Sequence, residues 1–371
     1  MKYCTECILP DSRPNLTIGS DGICNASTGR MKTNIDWDSR KGLFEDLCKK
    51  VKRNASQYDC IIPVSGGKDS TWQVLKALEF GLKPLCVTWR SPARTSLGQR
   101  NLDNLIGLGV DHIDFSINPV TEKKFMRKTF SDMGSPAIPM HMAIHSIPTN
   151  IALNWRIPLI IYGENSAFEY GGTVKLASDW KLTPEWFNKY GVTNGTHARD
   201  WSDEELTSGD LGQYQIPNFS LLEREKISAI FLGYFFNWDP IETSELALKN
   251  GFSKAEKAVV GIYDFADIDD AFIMSVHHWL KWFKFGFTRT WDNLSIEIRA
   301  GRVSRDQAIE LIKSLGLEEP TEAIDLFCNY IEIDRNTFDN ICEKFRNPEV
   351  WTKSSKNEWV IKDFLIDNWI W

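Results

Sequence analysis

Short apolar runs alternate with helical patterns over the first two thirds of the chain, and this alternation constrains the fold more than any other feature. A strand that is apolar along its whole length is buried on both faces, as in parallel sheets covered by helices. The sequence therefore predicts an α/β fold in which a parallel twisted sheet carries helices on both faces. The predicted strands are 59–65, 84–89, 112–115, 157–162 and 227–234.

Amphipathic helices are predicted between these strands and throughout the C-terminal third. The predicted helices are 39–53, 70–80, 100–108, 119–133, 140–155, 269–284, 304–315, 321–331, 336–346 and 357–366. We divide the chain into a small cysteine-containing segment, an α/β domain and a helical C-terminal region, which cover 1–38, 39–243 and 244–371. Residues 171–218 are polar, aromatic and irregular, and we interpret them as an insertion in the α/β domain.

Composition excludes several classes of protein. The 371 residues are 42% hydrophobic and 25% charged, which excludes a disordered or collagen-like chain. The formal net charge of -7 argues against a nucleic-acid partner, which would select a basic face. Neither a signal peptide nor a membrane-spanning apolar run is visible. We therefore expect no membrane span and a cytoplasmic protein with reduced cysteines.

The hexapeptide Ser65-Gly66-Gly67-Lys68-Asp69-Ser70 lies between a predicted strand and a predicted helix. Two glycines let backbone N–H groups approach an anion, and the helix N-terminus adds the positive end of its dipole. The spacing fits neither a Walker A loop nor a dinucleotide fingerprint. The hexapeptide therefore predicts a phosphate-binding loop, and the alternative is a glycine-rich turn without a ligand.

In this position the hexapeptide resembles the PP-loop of the ATP pyrophosphatases. Longer motifs resemble the N-acetyl sugar amidotransferases of surface-polysaccharide and nonulosonic-acid biosynthesis over the whole chain. These motifs are Cys4-x-x-Cys7 with Cys24, 58–70, 163–172, 232–239, 268–270 with His277-His278, 281–289 and 345–348. The resemblance implies an ATP-dependent enzyme of lipopolysaccharide O-antigen or nonulosonate biosynthesis. It would convert a sugar acetamido group to an acetamidino group through an O-adenylylated intermediate, with release of AMP and pyrophosphate.

The resemblance also implies ATP and Mg²⁺ as cofactors and an N-acetylated sugar, free or nucleotide-linked, as substrate. A separate glutaminase and a cyclase-like subunit would supply ammonia. A glutaminase within the chain would need a nucleophilic cysteine with a histidine base. Cys48 lies in a predicted helix, and Cys60 and Cys86 lie within predicted strands, so none is placed for that role.

Candidate site residues come from the hexapeptide and from the rule that ligands bind beyond the carboxyl ends of parallel strands. For binding ATP and pyrophosphate we expect Ser65, Gly66, Gly67, Lys68, Asp69, Ser70, Thr88, Trp89 and Gly163. For binding the substrate we expect Glu164, Asn165, Glu169, Tyr170, Asp270, His278 and Arg289. For catalysis we expect Lys68, Asp69, Glu164, Asp239 and His277, with Asp69 as a Mg²⁺ ligand.

Several of these residues have an ordinary structural alternative. Asp69 could be a first-turn helix acid that faces water, and Trp89 could pack in the core. We expect only one of His277 and His278 to reach the site. Arg289, like Arg299, could bind a carboxylate or phosphate or form a surface ion pair. Rings that could stack on a sugar belong to Trp180, Trp186, Trp201 and Trp238.

The N-terminal cysteines form most of a zinc knuckle in a segment that has no apolar core of its own. Cys4, Cys7 and Cys24 would be ligands of a structural Zn²⁺. The family pattern ends in a fourth cysteine, where this chain has Ser27, a poor zinc ligand. Other candidates for the fourth ligand are Asp11, Asp21 and water. The alternative is a metal-free turn held by other contacts.

Two other functions compete with the amidotransferase. A PP-loop tRNA thiolase would need a basic face and reactive cysteines in the α/β domain, which the net charge and the strand positions of Cys60 and Cys86 disfavour. A non-catalytic ATP-binding partner in polysaccharide assembly is disfavoured by the intact hexapeptide.

Overall fold

A computed structural model describes residues 1–28, 35–54 and 57–371. Its main feature is a five-stranded sheet of order β3-β2-β1-β4-β5, in which all neighbouring strands are parallel. The strands are β1 (Cys60–Pro63), β2 (Pro84–Trp89), β3 (Asp111–Phe115), β4 (Leu159–Tyr162) and β5 (Ser228–Phe231). The α/β prediction is therefore confirmed. The chain moves outward in opposite directions from β1 and β4, which creates a crevice beyond their carboxyl ends.

Helices cover both faces of this sheet. They include α2 (Trp37–Asn54), α3 (Lys68–Glu79), α4 (Ser96–Ile106), α5 (Pro119–Met133) and α6 (Ile138–Trp155), whereas the short α1 (Asn25–Thr28) lies in the cysteine-containing segment. Alternate residues of one strand enter different cores: Ile61 packs with residues of α5 and α6, whereas Ile62 packs with residues of α2, α3 and α4. Both faces need apolar side chains, which explains the continuous apolar runs in the sequence.

The segment between β4 and β5, which contains residues 171–218, is irregular. It contains α7 (Ser166–Glu169), α8 (Val174–Ala177), α9 (Pro184–Tyr190), α10 (Phe219–Arg224) and two 3₁₀ helices, Ala198–Trp201 and Asp210–Tyr214. The predicted strand 227–234 is too long, because the chain enters α11 (Leu232–Phe235) directly after Phe231. This turn directs the following segment over the carboxyl edge of the sheet.

The C-terminal region is mainly helical. It contains α12 (Pro240–Lys249), α13 (Ile273–Phe285), α14 (Arg289–Arg299), α15 (Arg305–Leu315), α16 (Thr321–Ile331) and α17 (Arg335–Lys344). The predicted helix 357–366 is wrong, since β7 (Trp359–Ile361) pairs there with β6 (Trp351–Lys353) in an antiparallel ribbon. The described residues contain no helix with the length and apolar character needed to cross a membrane.

Two boundaries in this region differ from the predictions for local reasons. The helix predicted from residue 269 begins at Ile273, because Asp270 Oδ1 accepts the N–H groups of Phe272 and Met274. Helix α14 was not predicted. It buries polar residues, among them Asp292 and Asn293, which interrupt the apolar periodicity that the prediction relies on.

Candidate active site

The carboxyl ends of β1, β2, β4 and β5 open into a cavity of about 500 Å³. Most of the predicted site residues line it, namely Ser65, Gly67, Lys68, Asp69, Ser70, Thr88, Trp89, Gly163, Glu164, Tyr170, Asp270 and Arg289. This is the position at which open α/β sheets bind ligands. The C-terminal region forms the opposite wall, so the site is composed of two parts of the chain.

Loop 65–70 connects β1 to the N-terminus of α3. The Ser65 N–H donates to Ser70 Oγ at 3.0 Å, and the Gly67 N–H donates to Ser65 Oγ at 3.3 Å. No side chain caps the start of α3. The first N–H groups of the helix are therefore available to an anion, as phosphate binding requires.

Gly66 lies in the part of this loop where a side chain cannot fit. Its φ is +90°, and an added Cβ would lie 2.6 Å from the backbone nitrogen of Leu102 in α4. We expect Gly66→Ala to lower the free energy of unfolding by about 1–3 kcal/mol. Urea denaturation measures this change. In the matched control Gly42→Ala, the added Cβ meets nothing within 4 Å inside α2, and we expect a gain of about 0.5–1 kcal/mol. Equal stability of the two variants would contradict the close packing.

Lys68 and Asp69 form a charged pair at the start of α3. Lys68 Nζ donates to both carboxylate oxygens of Asp69, at 2.6 and 2.7 Å. Trp238 Nε1 also donates to Asp69 Oδ1, at 2.8 Å, and Lys68 Nζ lies 3.3 Å from Thr243 Oγ1. Lys68 is almost fully buried, and its ammonium lies over the rings of Trp238 and Phe265. A buried cation beside the N-terminus of α3 is suited to bind a phosphate.

Glu164 follows β4 and faces the same cavity. Burial and the negative charge of Asp69 raise the pKa of Glu164 to about 7, although the charge of Lys68 opposes the shift. A carboxyl with a pKa near neutrality can both accept and release a proton at the pH of a cell. Glu164 is therefore the strongest proton-transfer candidate in the site.

An acidic turn, residues 267–270, brings the C-terminal region to the cavity. Burial raises the pKa of Asp269, against a hydrogen bond to Ser65 that lowers it. Burial likewise raises the pKa of Asp270 to about 7. Asp267 Oδ2 lies 4.0 Å from Arg289 Nε, which is the basic group on this wall. The turn thus contacts loop 65–70 directly and places carboxyl groups opposite it.

Some predicted residues do not line the cavity, namely Gly66, Asn165, Glu169, Asp239, His277 and His278. Asp239 caps α12, since its Oδ1 accepts the N–H groups of Ile241 and Glu242, and its Oδ2 pairs with Arg302 at 2.9 Å. Asn165 Oδ1 accepts from Trp186 Nε1 at 2.7 Å, and its amide nitrogen donates to two carbonyls of the insertion. Both side chains thus make contacts that stabilise the fold, and neither lines the cavity.

The two predicted histidines lie side by side on α13, with ring centroids 5.4 Å apart. His278 Nε2 is 3.9 Å from Asp267 Oδ2, one residue away from the cavity. Burial lowers the pKa of both histidines well below the usual range. Both histidines are therefore neutral. They lie behind the part of the cavity wall that contains Asp267.

Two histidines of α6 line the cavity and were missed. The His145 ring lies parallel to the ring of Tyr162, with centroids 5.2 Å apart. Its Nδ1 lies 2.7 Å from the carbonyl oxygen of His141, so Nδ1 carries the proton and Nε2 is an acceptor. Burial lowers the pKa of His141 to about 3 and that of His145 to about 4. The i, i+4 spacing on an apolar helix was the one signal that could have identified them.

The tryptophans proposed for sugar stacking are divided. Trp186 and Trp238 line the cavity, and Trp238 also holds Asp69. Trp201 packs against Phe125 in the core, and Trp180 packs against Phe235. Only the first two can therefore contact a ligand in the cavity.

All eight cysteines are buried and free of disulfides, and none lines the cavity. Cys60 and Cys86 lie in the central strands, where burial raises the pKa of both thiols. A thiol in this state is not a nucleophile. The cavity therefore lacks the cysteine that a glutaminase or a persulfide-carrying thiolase would use.

The N-terminal cysteines form a separate cluster. The sulfur atoms of Cys4, Cys7 and Cys24 all lie within 4.8 Å of one another, and those of Cys7 and Cys24 are 3.7 Å apart. Tetrahedral zinc with Zn–S bonds of about 2.3 Å requires sulfurs about 3.8 Å apart. Ser27 Oγ lies 3.4 Å from Cys24 Sγ and 3.7 Å from Cys4 Sγ, at the open side of the cluster. These four residues could hold a metal ion.

The other predicted candidates for the fourth ligand lie elsewhere. Asp11 Oδ1 accepts the N–H of Lys2, and Asp21 Oδ1 accepts the N–H of Ile23. Neither carboxylate belongs to the metal-ligand cluster found among the described residues.

Comparison with known proteins shows a similarity in the C-terminal region. Residues 261–365 match the family model described as "LPS biosynthesis protein WbpG-like, C-terminal domain", which agrees with the resemblance predicted from the motifs there. This matched region includes the acidic turn and Arg289. No curated protein matches the chain.

Two solved structures resemble the chain weakly. NMN synthetase from Francisella tularensis has 14% identity and a TM-score of 0.34, over 74% of this chain and 97% of that chain. NAD+ synthetase from Burkholderia pseudomallei has 14% identity and a TM-score of 0.27, over 61% and 91%. At these TM-scores the likeness carries no argument about function.

Proposed function

We propose that this chain is an ATP-dependent amidotransferase of lipopolysaccharide or nonulosonate biosynthesis. It would convert a sugar acetamido group to an acetamidino group and release AMP and pyrophosphate. One observation carries the proposal: loop 65–70 and the acidic turn of the family-matched region line the same cavity. One side of this cavity is a loop suited to bind phosphate, and the opposite side belongs to the region that matches a lipopolysaccharide-biosynthesis family. This combination suits an enzyme that activates a sugar substrate with ATP.

In the first step the acetamido oxygen attacks the α-phosphorus of ATP, and pyrophosphate leaves. An amide is a poor electrophile, and adenylylation turns its oxygen into a good leaving group. The buried Lys68 and the uncapped N-terminus of α3 would stabilise the charge on the departing phosphates. Their fixed positions avoid reorganisation during the reaction.

In the second step ammonia attacks the acetamido carbon, and AMP leaves with the former carbonyl oxygen. The attacking nitrogen must lose a proton before the intermediate collapses to the amidinium product. Glu164, with a pKa raised to about 7, is the group that we assign to accept it.

Asp69 offers carboxylate oxygens, which Mg²⁺ prefers as ligands. Asp69 would hold the ion, which would neutralise charge on the phosphates. Lys68 Nζ contacts both oxygens of Asp69 here, so these oxygens become available only when Lys68 turns toward a phosphate.

Ammonia is proposed to come from a separate glutaminase with a cyclase-like subunit. The support is the absence of a cysteine from the cavity wall, since all eight cysteines lie elsewhere. The purified chain should use ammonium slowly and should not use glutamine. Glutamine-driven turnover by the chain alone would contradict this assignment.

The decisive experiment is a pyrophosphate-release assay with ATP, ammonium and a panel of free and nucleotide-linked N-acetyl sugars. Release should require one of these sugars, and the sugar should lose the mass difference between oxygen and an NH group. Sugar-independent release of pyrophosphate, or release without this mass change, would overturn the proposal.

The metal of the N-terminal cluster is proposed to be Zn²⁺. Three sulfur ligands within 4.8 Å of one another support it, and Ser27 or water would complete the site. We expect Ser27→Cys to bind zinc about tenfold more tightly, because a thiolate replaces a weak hydroxyl ligand. Competition with a chromogenic chelator measures the affinity. Ser12→Cys, outside the cluster, is the control, and equal zinc affinity of both variants would contradict the site.

A further inference from the structure

The N-terminal segment holds a loop of the candidate site that we call the 169–172 loop. Side chains from outside this loop bind three of its four carbonyl oxygens. Arg299 Nη2 donates to the Glu169 carbonyl at 2.8 Å, Arg13 Nη1 to the Tyr170 carbonyl at 3.1 Å, and Asn25 Nδ2 to the Gly172 carbonyl at 3.3 Å. Side chains from both ends of the chain therefore hold this loop, in addition to the N–H groups of Glu169 and Tyr170, which donate to the carbonyls of Asn165 and Ser166.

Arg13 is the centre of this arrangement. Its Nε pairs at 3.0 Å with Asp292, whose side chain is fully buried in α14 and also accepts from Lys281 Nζ at 2.8 Å. The Arg13 guanidinium lies 5.0 Å from the centroid of the Tyr170 ring. One side chain thus connects the N-terminal segment, the C-terminal region and a ring that lines the cavity.

The backbone of the loop fits against the cysteine-containing segment. Gly171 has a φ of +94°, and an added Cβ would lie 2.7 Å from Asn25 Oδ1 and 3.1 Å from a methyl group of Leu16. Asn25 directly follows Cys24, a member of the cysteine cluster. Cys7 is anchored to the C-terminal region in turn, because its carbonyl accepts from Arg305 Nε at 2.9 Å. The cysteine cluster therefore helps to fix the position of Asn25, whose side chain binds the Gly172 carbonyl.

We propose that Arg13 and Asn25 are positioning residues that set the affinity of the site for its acetamido sugar. They hold Tyr170 in the cavity wall from a segment whose described residues, 1–28 and 35–38, do not line the wall themselves. This inference rests on the proposed function for the identity of the ligand. The hydrogen bonds of Arg13 and Asn25 to the site and its surroundings reach Asp292, Tyr170 and Gly172, and none of them reaches loop 65–70, so we expect ATP binding not to depend on them.

Hydrogen exchange of residues 165–178 and steady-state kinetics test the proposal together. Arg13→Lys can keep the ion pair with Asp292 but cannot also reach the Tyr170 carbonyl, and Asn25→Ala removes the contact to Gly172. We expect about tenfold faster exchange of these amides in each variant. We also expect KM for the sugar to rise about tenfold, with the dissociation constant for ATP within twofold of wild type.

Arg199→Lys, at a side chain that is 76% exposed, is the matched control and should change neither quantity. Unchanged exchange in both variants would overturn the inference, and so would an equal loss of ATP and sugar affinity. The exchange measurement needs no turnover. An enzyme inactive with every sugar would therefore refute the proposed function while the exchange result still decides whether Arg13 and Asn25 fix the loop.

Discussion

The Asp69→Asn variant is expected to release pyrophosphate at least about a hundredfold more slowly than wild type. Asp69 is the carboxylate in direct contact with Lys68, and we assign it to Mg²⁺ when ATP is bound. The amide keeps the shape of the side chain and can still accept from Trp238 Nε1, but it loses the negative charge that both roles need. Initial rates at saturating ATP, sugar and ammonium measure the effect.

The matched control is Asp46→Asn on α2, whose side chain is 76% exposed and pairs with Lys49 at the surface. It should leave the rate unchanged within twofold. Thermal unfolding should show that Asp69→Asn is folded, since its side chain is partly exposed. Full activity of a folded Asp69→Asn variant would remove Asp69 from the catalytic machinery.

The Glu164→Gln variant is expected to lose activity and to gain stability at high pH. The folded-state pKa of Glu164 is raised to about 7, so the folded protein holds this proton more tightly than the unfolded chain. Stability from this group is present at low pH and decreases as the pH rises from about 4.5 to about 7. Glutamine removes that loss, and we expect a gain of about 2 kcal/mol at pH 8 but little at pH 5.

The activity of the wild-type protein should increase with pH, whereas the stability contribution of Glu164 decreases. Proton acceptance needs the ionised form of Glu164, so the rate should rise with pH through about 7. Glu164→Gln should lose this pH dependence together with most of the rate. The control Glu185→Gln, at a half-exposed pair with Lys175 in the insertion, should keep the wild-type pH profile. A Glu164→Gln variant with the wild-type profile would show that another group titrates.

The parts predicted well from sequence are those with a strong local signal. Residues 65–70 were identified from their two glycines and from the predicted strand and helix on either side. Glu164 was identified because it directly follows an apolar run. These signals are local because a parallel strand buries both faces and ends at the ligand-binding edge. The strands and most helices could be predicted for the same reason.

The rest depends on contacts between distant parts of the chain. Nothing local separates Asp239, which caps a helix and pairs with Arg302, from Asp269, which reaches Ser65. Helix α14 was missed because its buried polar residues are satisfied by partners such as Arg13, some 280 residues away in the sequence. Strand β7 was mistaken for part of a helix because short strands of three residues carry little periodicity.

Helix α4 packs closely against the acidic turn, and we call this contact the seam. Under the proposed function, the seam would affect how much ATP is used for each product molecule. An added Cβ on Gly98 would lie 2.6 Å from the Cα of Asp269, and the Thr95 N–H donates to the Asp269 carbonyl at 3.2 Å. An adenylylated amide that meets water before ammonia returns to the starting sugar, with one ATP hydrolysed for no product. Under the proposed function, close packing beside Asp269 would limit the entry of water there and so lower the ratio of ATP consumed to nitrogen transferred, a quantity separate from the rate.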